Sequence, residues 1–165
     1  LWSRYKIKIL CGVVVSQVNY QQEFLDDVKG ESLALIEGHF NEVYPCRDVY
    51  SLDMDWDTYS KLEDMGLVKI FTARDCGTLV GYLWVILSPN IHSKGSYTAC
   101  DDGLFVTKSH RGKMVAVELI RFVEKCLKED GIKTFHLVGT AEKPIDSLVE
   151  RMGYAKIETK FQKVL

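Results

Sequence analysis

The sequence predicts an α/β domain with a mixed, mostly antiparallel central sheet and helices on both faces. Two observations lead there. Val68 to Arg74 and Thr78 to Leu87 are β-branched and aromatic runs joined by Asp75-Cys76-Gly77, the pattern of an antiparallel hairpin. Farther on, strand-like Gly103 to Thr107, an amphipathic stretch ending near Leu127 and strand-like Ile132 to Val138 form a crossover unit, whose two strands must be parallel. A chain of 165 residues that is 47% hydrophobic can bury one sizeable core, so a single domain over residues 1–165 is expected.

In chain order, Gly12 to Val18 reads as a first strand. From Gln21 to about Val43, Phe24, Leu25, Val28, Leu33, Ile36, Phe40 and Val43 recur at helical spacing, in one helix or in two broken at Gly30. Tyr44-Pro45 ends that segment. Asp53-Met54-Asp55-Trp56-Asp57-Thr58 opens a helix to about Met65, its carboxylates favourable at the positive end of the helix dipole. The same alternation imitates a calcium loop, but Thr58 stands where such a loop needs glycine and Asp64 where it needs glutamate, so no calcium site is expected. Ser88-Pro89-Asn90 closes the hairpin's second strand, and Ser96 to Asp101 leads into the next. In the long helix Ala116, Leu119, Ile120, Val123, Cys126 and Leu127 share one face, with Gly131 as its stop. Pro144 opens a short helix carrying Ile145, Leu148, Val149 and Met152 and ending at Gly153. Tyr154 to Val164 should supply one or two closing strands.

The chemistry concentrates where the strand at 103–107 turns into the long helix. The first amides of a helix have no partner within it and point outward, reinforced by the dipole, so an anion is their natural occupant. Gly112 removes a side chain that would block close approach, and Lys108, His110, Arg111 and Lys113 surround the same turn with cationic or protonatable groups. A phosphate or pyrophosphate fits.

Elsewhere the composition excludes more than it suggests. A net charge of -2 gives no electrostatic footprint for nucleic acid or a membrane surface. Five scattered cysteines without a C-x-x-C pair suit reduced thiols and a cytoplasmic setting, and four histidines show no metal-ligand spacing, so no metal is expected. Arg4, Lys6 and Lys8 before Ile9 to Val15 loosely imitate a signal peptide, but the apolar run is short and no small-residue cleavage site follows.

Arg111-Gly112-Lys113-Met114-Val115-Ala116 resembles the Arg/Gln-x-x-Gly-x-Gly/Ala signature of the GNAT family of N-acetyltransferases, with Arg111 and Ala116 matching and Met114 in place of the glycine. Leu148-Val149-Glu150-Arg151-Met152-Gly153-Tyr154 resembles that family's aromatic-Tyr-Glu-Lys-Leu-Gly-Phe ending, and the resemblance extends over nearly the whole chain. Segments 52–67, 71–82, 88–102 and 150–165 also resemble small acetyltransferase-like proteins of tailed bacteriophages, which would place this one in the host cytoplasm.

The resemblance implies acetyl-CoA as co-substrate. Its pyrophosphate would lie on the turn formed by Arg111, Gly112, Lys113, Met114, Val115 and Ala116, and its pantetheine arm along the edge of Leu104, Phe105 and Val106, where that strand splays from 132–138. An amine acceptor, small molecule or protein, would attack the thioester directly. An ammonium must first lose its proton, and Asp102, just before the edge, is the candidate base, with Asp101 facing the other way. The tyrosine that protonates the leaving thiolate in many members falls here on Val149, with Tyr97 as a substitute, and the family's frequent asparagine falls near Glu142. A second reading keeps the fold but lets the protein act by binding coenzyme A or a protein partner. His92 could contact an acceptor or be an ordinary loop histidine, Trp56 and Trp84 belong to core or groove, and terminal strands in such a fold can form a homodimer edge.

Overall fold

The computed structural model of the protein describes residues 18–45 and 47–165. Five strands lie in the order β1 (Val18–Glu23), β2 (Val68–Asp75), β3 (Thr78–Pro89), β4 (Tyr97–Val106) and β5 (Thr134–His136). The first four pair antiparallel with their sequence neighbours, and β5 pairs parallel to β4. Helices α1 (Leu25–Val43) and α2 (Trp56–Asp64) stand between β1 and β2, α3 (Val115–Glu129) forms the crossover, and α4 (Asp146–Arg151) follows β5.

Strand periodicity divides the apolar side chains between two faces. Phe71, Ala73, Leu83, Val85, Ala99 and Val106 pack against Val115, Leu119, Ile120, Val123 and Leu127 of α3. Ile70, Tyr82 and Trp84, pointing the other way, pack against Leu25, Val28 and Ile36 of α1, with Phe105, Trp56 and Tyr59 beside them. Because β3 is covered on both sides, its residues from Leu79 to Val85 are all buried. The β2–β3 hairpin turns on Cys76 and Gly77, both with positive φ (50° and 87°), which matches the strand twist.

Several expected boundaries move. Residues 12–17 lie outside the described part of the chain, so the expected first strand can be compared only at Val18. Gln21 to Glu23 do not begin a helix but complete β1, pairing in turn with Thr72, Phe71 and Ile70; as an edge strand it accommodates these polar side chains. Helix α1 is continuous through Gly30, where an added Cβ would meet nothing within 4 Å. Its first amide, at Leu25, donates to the Glu63 carboxylate of α2 at 2.9 Å, in place of a side-chain cap of its own. Within the aspartate run Asp55 is the N-cap of α2 and accepts from the Thr58 amide at 3.0 Å.

The C-terminal part differs most. Expected strands within Tyr154 to Val164 are not formed; Ile157, Phe161 and Val164 stay 57–94% exposed. A strand forms only where one face is buried and the backbone finds a ladder partner. A cavity of about 680 Å³ separates this segment from β5, which is itself only three residues long.

Candidate active site

Two features meet on β4. The first is the end of its pairing with β5. The ladder covers only Thr98–Thr134, Ala99–Phe135 and Cys100–His136, so from Asp101 onward the β5-facing edge of β4, Leu104 to Val106 included, has no strand partner. At the split, the Val138 amide donates to the Asp101 carboxylate at 2.7 Å. Burial above all raises the Asp101 pKa to about 7, with the neighbouring Asp102 charge adding to it against the Val138 hydrogen bond.

The free edge leads to the turn before α3. Gly112 has φ +75° and Met114 φ +64°, so the chain enters the helix through two left-handed residues. Met114 stands at the N-cap and its carbonyl accepts the first helical bond, from the Glu118 amide at 2.9 Å, which leaves the amides of Val115, Ala116 and Val117 without an acceptor inside the helix. Space for an added Cβ at Gly112 is open, so its glycine serves the φ angle. The same angle explains why the family motif has glycine at the position of Met114, which is 53% exposed.

The cations of the turn are arranged differently from the sequence expectation. Arg111 does not point an unpaired guanidinium at the turn: it grips Glu42 of α1 with two bonds of 2.7 and 2.9 Å, donates to the Val106 carbonyl at 2.8 Å and lies over the Phe105 ring. A carboxylate on the last turns of α1, absent from any local reading, has captured it. His110 is held between Asp75 at one ring nitrogen and Thr107 and Ser109 at the other, each 3.0 Å away. Lys108 and Lys113 make no ion pair among the described residues.

The second feature is a bulge. Trp84 opposes Gly103 while Val85 opposes Asp101, so Asp102 is the extra residue on β4. Asp102 and Gly103 consequently both line a cavity of about 320 Å³ beneath α1 and α2, while Asp101 lies on the β5 side. Asp102 accepts a hydrogen bond from the Tyr59 hydroxyl of α2. His39 of α1 hydrogen-bonds the Tyr82 hydroxyl at 2.8 Å and stacks on Phe105. Burial, with the Asp102 charge second, pushes the Tyr59 and Tyr82 phenols above their ordinary range, so both keep their protons. Burial also lowers the His39 pKa, keeping the ring uncharged at neutral pH. Trp84 forms the cavity wall and Trp56 packs behind it, ring centroids 6.3 Å apart.

His39, Tyr59 and Tyr82 were not singled out by the sequence; each reads locally as one polar or aromatic position on an amphipathic element, and only their place in the cavity that Asp102 lines marks them. Tyr97 stands five residues from Asp102 along β4, roughly 16 Å at strand spacing, and does not reach it. His92 is exposed in the β3–β4 connection and lines neither cavity, and Glu142 pairs with Arg47 at 3.2 Å.

A strand edge leading to an anion-receptive turn, with a carboxylate-bearing cavity on one face of the same strand, suits a protein that brings two substrates together at β4. The family model for the acetyltransferase (GNAT) family matches residues 34–154, and the chain belongs to that family. GNAT enzymes use acetyl-CoA as co-substrate and act on amine acceptors. No curated protein matches the sequence. Solved structures share the fold: an aminoglycoside acetyltransferase from an uncultured soil metagenomic sample (15% identity, TM-score 0.71, 90% of this chain and 96% of that one), a ribosomal-protein-alanine N-acetyltransferase from Brucella melitensis biovar Abortus 2308 (21%, 0.65, 90% and 97%) and a glucosamine-6-phosphate N-acetyltransferase from Arabidopsis thaliana (14%, 0.68, 90% and 98%). No helix among the described residues is long and apolar enough to cross a membrane.

Proposed function

We propose that the protein is an acetyl-CoA-dependent N-acetyltransferase of the cytoplasm in which an amine attacks the thioester directly. The observation that carries this reading is the bulge that sets Asp102 in a cavity next to the free edge of β4. The co-substrate supplies an acyl carbonyl carbon and a thiolate leaving group. Its phosphates suit the amides of Gly112 to Ala116, with Lys113 and Lys108 nearby, and its pantetheine amides suit the β5-facing edge of β4 at Leu104 to Val106, where Arg111 already occupies the Val106 carbonyl. Arg111 acts from behind, tying the turn to α1 through Glu42 and to β4 through Val106.

On the acceptor side, Asp102 takes the proton that an ammonium must lose before its nitrogen lone pair can attack. The Tyr59 hydroxyl holds one carboxylate oxygen in place, leaving the other for the amine. Bond formation between nitrogen and the acyl carbon, with loss of the thiolate, leaves a second proton on nitrogen; its passage through water to the thiolate, since Val149 has none to give, yields the amide and free coenzyme A. Calorimetric titration of the full chain with acetyl-CoA tests the reading. Saturable micromolar binding, with free thiol released once an amine is added, is expected; no binding by folded protein would overturn it.

A further inference from the structure

Given that reading, the acceptor cavity itself narrows the acceptor. We infer that it takes a small primary amine on an apolar or aromatic stem, bearing no phosphate and few hydroxyls. The charge of the lining is one-sided: Asp53, Asp55 and Asp102 line it, and no lysine or arginine does among the described residues. His39, the one basic side chain there, is kept neutral by burial. A cation is therefore favoured, and a phosphate would meet three carboxylates with no countercharge.

Ring faces supply a second attraction of the same sign. His39 apart, Phe40, Tyr44, Tyr50, Tyr59, Tyr82 and Trp84 stand around the space. Aromatic faces attract an ammonium and pack against a hydrocarbon stem, and Ile36, Val43, Leu52 and Met54 extend the apolar wall. Groups able to read a ring of hydroxyls are few. Of the four phenols here, Tyr59 is spent on Asp102 and Tyr82 on His39, which leaves the hydroxyls of Tyr44, Tyr50 and Ser51; no asparagine or glutamine lines the described cavity, and Asp55 is occupied capping α2. The volume of about 320 Å³ lies at the bottom of the roughly 300–1,000 Å³ range of small-molecule sites, which suits one ring and a short chain. The ammonium would sit at Asp102, the one carboxylate of the three on β4, and the stem would run toward Leu52 and Met54.

The test compares 2-phenylethylamine, glucosamine 6-phosphate and kanamycin with the full-length protein, using two readouts. Quenching of Trp84 and Trp56 fluorescence reports binding without acetyl-CoA; free-thiol release reports transfer. Saturable quenching by 2-phenylethylamine is expected, at least tenfold tighter than by either other amine and weakened at least tenfold in Asp102→Asn, with kcat/KM in the same order. Tighter binding or faster turnover of glucosamine 6-phosphate or kanamycin would overturn the inference, as would absence of saturable binding by 2-phenylethylamine. Binding in the expected order without thiol release from any amine would sustain the acceptor class and count against the transfer reading instead. The ranking on the wild-type chain needs no variant, so it stands even if Asp102→Asn fails to fold.

Discussion

The turn before α3 and the cavity over β4 are joined by one short piece of chain, yet they are built from different material. The turn we propose for the co-substrate is made of backbone: its free amides follow two left-handed residues, Gly112 and Met114, and the residue at 114 is half-exposed. The cavity is a side-chain site, assembled from α1, the α1–α2 connection, α2 and the β3–β4 pair, around one carboxylate that a single extra residue turns into place. A backbone site tolerates changes of side chain and responds to φ. A side-chain site responds to single atoms.

The sharpest way to break this contrast is Gly103→Ala. A Cβ there would lie 3.2 Å from the His39 ring and 3.6 Å from Tyr82, so the ring must move and its 2.8 Å bond to Tyr82 is strained. We expect a loss of about 1–3 kcal/mol, read by urea denaturation, and weaker acceptor turnover with acetyl-CoA affinity unchanged. At the turn the sign reverses. Met114→Gly relieves a non-glycine residue at φ +64° and removes an exposed side chain, so it should stabilise the chain by about 1 kcal/mol while acetyl-CoA binding holds or tightens. Equal losses from both substitutions would dissolve the distinction.

The smallest effect concerns the split between β4 and β5. Asp101 keeps its proton to about pH 7 in the folded chain, whereas an unfolded aspartate ionises near pH 4. Between these values the folded state binds more protons than the unfolded one, so this group's contribution is full below about pH 4 and is lost as pH rises through 7. The midpoint difference between Asp101→Asn and the parent in urea should therefore grow in favour of the variant from pH 5 to pH 8. A difference independent of pH would show that Asp101 is already ionised across that range.

Legibility in the sequence follows the same division. The β2–β3 hairpin, the crossover around α3 and the turn at Gly112 are local patterns, and the structure has them. That Asp101 and Asp102 face opposite ways is also readable from strand alternation, although the bulge between Trp84 and Val85 is what carries Gly103 to the same side as Asp102. The capture of Arg111 by Glu42 depends on residues 69 positions apart, and no local pattern contains it. His39 and Tyr59 were invisible for the same reason. The closing strands expected from Tyr154 to Val164 show the opposite failure, since the strand expectation was local and no buried face is there to meet it.

The central claim is that the carboxylate on the β4 bulge does the proton chemistry while the turn holds the co-substrate. Asp102→Asn keeps the shape and removes the charge. With an amine acceptor, kcat should fall about 10²- to 10⁴-fold while the acetyl-CoA Kd by calorimetry stays within twofold of the parent. A kcat within threefold of the parent, at unchanged acetyl-CoA affinity, would contradict the account and move the proton to another group.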